Sequence, residues 1–278
     1  MTTSLPTAVA TADRRPARRD TAALVAARKP PASGGFNQTM LAIELRRLLR
    51  NRRTVVFTLV MPAVFFLLFG TSSSYQNQSA GHGNITAYVM VSMAVYGAMI
   101  ATTSGGAAVS VERAAGWSRQ LRLTPLSPTA YIGVKVLTAM VLGAVSILVV
   151  NLIGVVVGAH MLTSAWILCA VLAWVCSVLF AAFGLFMGYL LPSDNVMQII
   201  GPALAVLSFA GGLFVPVDQL GHVFATFAKF TPVYGVGQIA RAPLAGGLTA
   251  TAVINVLAWT LAFSAGAAWR FRRDTSRV

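Results

Sequence analysis

The sequence predicts an all-α integral membrane protein: six transmembrane helices preceded by an amphipathic helix on the membrane surface. Three observations carry that expectation. Only 10% of the 278 residues are charged and 56% are hydrophobic, with a mean hydropathy of +0.74, whereas a soluble domain carries about 25% charged residues. Apolar runs of about 20 residues recur, the length that crosses a hydrocarbon core. The lysines and arginines fall between these runs, and almost all of them on one side.

Taken in order, residues 1–36 are rich in Ala, Thr, Pro and Arg without apolar periodicity, and are expected to form a disordered cytoplasmic tail. No apolar core follows "DRRPARRD" at signal-peptide distance, which argues against a cleaved export signal. Residues 37–53, "NQTMLAIELRRLLRNRR", place Leu41, Leu45, Leu48 and Leu49 on one helical face and Arg46, Arg47 and Arg50 on the opposite arc. Such a helix is expected to lie in the membrane interface with its arginines among lipid headgroups.

Six spans are expected at about 54–71, 86–110, 129–157, 165–190, 195–214 and 249–270. Pro62 and Gly201-Pro202 fall inside spans, where neighbouring helices can re-satisfy freed backbone groups. Cys169 and Cys176 lie seven apart on one face of the fourth span, as small packing residues rather than a disulfide. His82, His160 and His222 lie far apart in expected loops, and no spacing suits a metal.

Of the 21 lysines and arginines, 11 precede the first span. Arg113, Arg119, Arg122 and Lys135 flank the loop after the second span, and Arg270, Arg272, Arg273 and Arg277 close the chain. The opposite loops hold Lys229 and Arg241. This imbalance predicts both termini in the cytoplasm, and it explains the net charge of +14 without nucleic acid.

Between the second and third spans lies "VERAAGWSRQLRLTPLSP", residues 111–128. At helical spacing Ala114, Trp117 and Leu121 share a face, while Glu112, Arg119 and Arg122 point away. A short helix is expected, with its apolar side against the membrane domain and its charges offered to a soluble partner. The chain lacks the means to drive transport alone. None of its seven acidic residues lies deep in an expected span, as proton relays require, and no G-x-x-x-x-G-K-[ST] occurs. No metal or acid–base constellation suggests a membrane enzyme either. Energy would have to come from a partner.

"VERAAGWSRQLRLTPLSPTAYIGVK" resembles the segment after the second span of ABC-2 type permeases, the membrane subunits of a large class of ATP-binding cassette exporters. "LSFAGGLFVPVDQLGHVFATFAKFTPVYGVGQIAR", residues 207–241, resembles that family's fifth-span end and returning extracellular segment, and the basic amphipathic helix is a third match in order. The resemblance implies a type V exporter-like half-transporter over residues 37–270, with cytoplasmic residues 271–278 and a re-entrant extracellular segment at about 215–245. It also implies a second permease, identical or related, and two P-loop ATPase subunits that bind ATP and Mg. The helix of residues 37–53 becomes the connecting helix, and residues 111–124 the coupling helix. Glu112, Arg113, Gly116, Trp117, Arg119, Gln120 and Arg122 would then serve coupling. Ala114 and Arg119 stand where family members often carry glutamate, which alters any carboxylate contact to the ATPase.

In "GGLFVP", Gly211 and Gly212 would let two helices approach, with Leu213 and Phe214 as bulky plugs. The function implied is export of an amphipathic, drug- or antibiotic-like small molecule or lipid across the plasma membrane, with no cofactor and no catalysis in this chain. A surface polysaccharide or lipid-linked glycan is the alternative cargo. A non-transporting membrane scaffold is the alternative role, and a secondary transporter is disfavoured by the lack of intramembrane charge.

Overall fold

The computed structural model describes residues 38–116, 127–219 and 221–275. The fold is a helical bundle, and each helix can be traced to its sequence. Helix α1 (Gln38–Arg50) is followed by a nearly continuous rod: α2 (Arg52–Val55), one π-helical turn (Val56–Val60) and α3 (Met61–Gly70). A short α4 (Ser73–Asn77) and a two-residue hairpin, β1 (Ser79–Ala80) and β2 (Gly83–Asn84), lead into α5 (Ile85–Ala114). Then come α6 (Pro128–Val157), α7 (Thr163–Cys176), α8 (Val178–Leu190) and α9 (Ser193–Ala210). Helices α10 (His222–Ala228), α11 (Pro232–Ala245) and α12 (Ala250–Thr275) complete the described chain.

Four of these are long and apolar enough to cross a membrane: α5, α6, the α7–α8 pair taken together (Thr163–Leu190), and α12. The first and fifth expected spans are shorter apolar helices, Val56–Gly70 and Gln198–Ala210. A helix of 30 residues such as α5 extends about 45 Å against a hydrocarbon core of about 30 Å. The protein is a membrane protein.

Helix α5 is the axis. Met90, Met93, Ala98, Met99 and Ala107 on it are buried beneath neighbouring helices. Apolar side chains gain little by leaving lipid for one another, so close packing of small residues must hold the helices together. The sequence supplies these where α5 crosses α8. A methyl group at Gly106 would lie 2.6 Å from the Ala181 carbonyl and the Leu185 nitrogen, and one at Gly184 would strike the Thr103 carbonyl. Along α9 the buried residues Val196, Ile200, Leu204 and Ser208 recur every four positions, one stripe turned inward.

The backbone carbonyl that Pro62 leaves free has a specific remedy. Proline lacks the N–H that would bond the carbonyl four residues back, that of Thr58. Ser146 of α6 donates its hydroxyl to that carbonyl at 2.7 Å, as expected of backbone groups freed at membrane depth. Cys169 and Cys176 are free and buried, consistent with packing residues.

The helix ends define two poles. At one, Asn84 caps α5 by accepting from the Ala87 N–H at 2.9 Å, and its amide donates to the Gly158 carbonyl at 2.8 Å. The His82 N–H bonds the last-turn carbonyl of α11 at Leu244. His82, His160 and His222 are all exposed, the first two at this hairpin pole. At the other pole α1 packs against the end of α5 and the start of α6, with Met40 and Phe271 in a small cluster around Val109, Tyr131 and Tyr189.

Two placements differ from expectation, and a third segment gains detail. Helix α5 runs on through Glu112 and Arg113, because nothing in "VSVERA" interrupts it, so these two residues close a span rather than open a separate helix. Within the segment expected to be re-entrant lie two helices, α10 and α11, with α11 packed into the bundle. Arg241, expected in a loop with Lys229, sits in α11 and is 2% exposed.

Candidate functional site

At the α1 pole three helices, α1, α5 and α6, converge on Glu112. Its carboxylate, 3% exposed, accepts from Arg47 Nη1 of α1 at 2.8 Å and from the Tyr131 hydroxyl and Lys135 ammonium of α6. Lys135 also donates to Glu44 of α1, and its ammonium lies 5.7 Å from the Tyr131 ring centre. Two carboxylates and two cations are thus gathered, with Glu112 and Lys135 buried, Glu44 nearly so, and Arg47 reaching in from the exposed side of α1, so that the buried charges are paired. Arg113, the next residue, turns toward α8. It donates to the Gly188 and Tyr189 carbonyls at 3.3 and 3.2 Å and stacks over the Tyr189 ring. A cation at a helix C-terminus satisfies carbonyls that have no partner within the helix.

Local sequence explains why the side chains meet. On α1, residues 40, 41, 44, 45 and 48 face the bundle, so Glu44 lies within the apolar stripe of Leu41, Leu45 and Leu48. Leu49 of the expected apolar face is 48% exposed, as is much of Ile43. Arg46 and Arg50 are exposed, whereas Arg47 reaches across to Glu112. Tyr131 and Lys135 stand four apart on one face of α6.

This geometry corrects the expected orientation of Glu112. Its carboxylate is not offered to a soluble partner, because burial and three donors have taken it into the bundle. Gly116 follows with φ +73°, a left-handed turn that suits glycine, in open space. Trp117, Arg119, Gln120 and Arg122 lie outside the described residues. The chain therefore enters residues 117–126 from two side chains fixed to α1, α6 and α8.

At the hairpin pole, α9 ends at Gly211. A methyl group there would come within 2.5 Å of Val233, so the glycine allows α9 to touch α11 of its own chain. Gly212 takes φ +76° and turns the backbone away. Leu213 and Phe214 then part company. Leu213 is 3% exposed and packed inside its own chain. Phe214 is half-buried in an aromatic cluster: it stacks on Phe209 at 4.6 Å and meets Tyr96, Phe65 and Phe69 edge-on at 5.1, 5.6 and 6.0 Å.

Sequence reasoning missed Glu44, Tyr131, Phe65, Phe69, Tyr96 and Phe209, and counted Lys135 and Arg241 as topology charges only. A carboxylate inside an apolar stripe and a Tyr–Lys pair at i, i+4 were signals available for the first two. Among the described residues no His, Cys, Asp and Glu group could hold a metal.

The comparisons agree with this architecture. The profile of the ABC-2 type transporter family matches residues 37–244. The Bacillus subtilis (strain 168) protein named "Putative transport permease YvfS" is 26% identical over 214 residues, covering 73% of this chain and 83% of that protein. A match across both poles and the core of the bundle settles the family: the chain belongs to the ABC-2 type transporters.

Proposed function

We propose that this chain is the membrane half of an ATP-driven exporter. It would pair with a second permease and with two P-loop ATPase subunits that hydrolyse ATP, and carry an amphipathic small molecule or lipid outward across the plasma membrane. Permeases of this family generally work with an ATPase partner. In this reading the short helices Val56–Gly70 and Gln198–Ala210 complete six crossings, α1 lies in the interface, and both termini are cytoplasmic.

The observation that carries the reading is the fixation of Glu112 and Arg113. A partner that displaced residues 117–126 would pull on these two residues, and through them on α1, α6 and α8 together. Coupling would then run through Glu112 and Arg113 as internal anchors, with Arg119, Gln120 and Arg122 left for the partner surface. Phe214, half-buried among four aromatic rings, is the plug of the path, and Leu213 supports it from within the chain. A path without exposed charge closes by apolar packing and dewetting.

Co-reconstitution with a P-loop ATPase that co-purifies with this chain from its native membrane tests the reading. ATP-dependent extrusion of amphipathic dyes or fluorescent lipids from vesicles is the expected result. An ATPase that binds the chain but drives no movement of dye, lipid or lipid-linked glycan would leave the scaffold role instead.

A further inference from the structure

Arg241 is a cation buried toward the hairpin pole, and the coupling does not account for it. Its guanidinium donates to the Ser92 hydroxyl of α5 and to the Gly212 carbonyl, each at 3.0 Å, and lies 4.7 Å over the Tyr88 ring. Gly212 is where α9 has ended and the chain turns at positive φ, so its carbonyl serves no helix. Irregular backbone at membrane depth requires such a donor. Charge is an expensive way to supply one. What the long side chain adds is reach, since from α11 its one Nη1 nitrogen grips two other elements at once while the guanidinium plane lies over Tyr88.

The register of the grip is specific. Ser92 and Tyr96 are one turn apart on the same face of α5. Two residues beyond Gly212, Phe214 places its ring against Tyr96. Pinning Gly212 at the level of Ser92 thus sets Phe214 at the level of Tyr96. Gly237, one turn before Arg241 on α11, keeps the space open: a methyl group there would lie 3.1 Å from both Arg241 Nη2 and Leu213 Cδ2. We propose that Arg241 is the positioning residue of the plug, clamping the Gly212 bend to α5 so that Phe214 closes against Tyr96. The functional meaning of the clamp rests on the exporter reading above, but its geometry can be tested without transport.

The test keeps the ring. A fluorine-labelled phenylalanine replaces Phe214, and its 19F spectrum is recorded for the full chain in detergent, beside a control label at Phe180, which is buried in α8 and is not one of the rings that meet Phe214. With Arg241 intact, one ring-shifted resonance is expected. In Arg241→Gln and in Gly237→Ala, most of that intensity moves to a narrow resonance near the free amino acid, while the Phe180 signal stays in place. Arg241→Lys, which keeps the charge without the guanidinium plane, retains the shifted resonance only in part. A Phe214 signal unmoved in both Arg241→Gln and Gly237→Ala overturns the clamp. So does an equal change at Phe180, which would make Arg241 a general support of the fold. Should Arg241→Gln fail to accumulate, Gly237→Ala is judged by the same two criteria. Failure of ATP-driven extrusion by the unaltered chain would refute the exporter reading and leave the clamp standing.

Discussion

Glu112 and Lys135, 23 positions apart on successive long helices, share a buried ion pair that Glu44 and Arg47 of α1 complete. Removing one member strands the rest. Lys135→Met leaves two carboxylates against the half-exposed Arg47, and is expected to cost about 3–5 kcal/mol, the usual penalty for an orphaned buried charge. Adding Glu112→Gln should recover much of that loss. Thermal unfolding in detergent measures both, and a Lys135→Met protein as stable as the parent would show the cluster to be idle. Charge reversal at Glu112 or Arg113 therefore reports on folding. Arg119→Glu is the substitution expected to alter ATPase stimulation while insertion and stability persist.

The bond between Ser146 and Thr58 makes a second prediction, by double-mutant cycle. Ser146→Ala orphans the Thr58 carbonyl beside the π-turn, at a cost of about 1–3 kcal/mol. In a Pro62→Ala background the restored N–H at 62 can take that carbonyl, and Ser146→Ala should become nearly neutral. Equal costs in the two backgrounds would mean that the hydroxyl does not answer the proline.

Leu213 and Phe214 should separate in the same assay. Leu213→Ala empties a buried site and is expected to lose about 2–5 kcal/mol of stability, with basal ATP hydrolysis of the assembled complex unchanged. Phe214→Ala should assemble normally and raise basal hydrolysis or broaden the range of cargo. If both variants behave as simple losses of stability, the plug lies elsewhere.

Topology is testable residue by residue. His82→Cys, His160→Cys and His222→Cys, made with Cys169 and Cys176 replaced by alanine, place thiols at exposed positions. These should react with an impermeant maleimide in intact cells. Labelling at position 120 in place of position 82 would invert the orientation.

The sequence by itself determined where the helices run. Each of the six expected spans coincides with helix to within a few residues, because apolar run length and its breakers are local properties. It also placed Pro62 inside the first apolar run. What only the tertiary structure decided is which charges and rings meet. Lys135 finds Glu44 across 91 positions and Arg241 finds Ser92 across 149. Helical periodicity shows that Glu44 shares a stripe with leucines, but not which neighbour that stripe will face. Glu112 therefore reads as an outward charge at a span end until α1 and α6 close over it. Arg241 reads as a loop cation until α11 folds back into the bundle. In both cases burial in a medium that tolerates no unpaired charge, rather than local pattern, selects the partner.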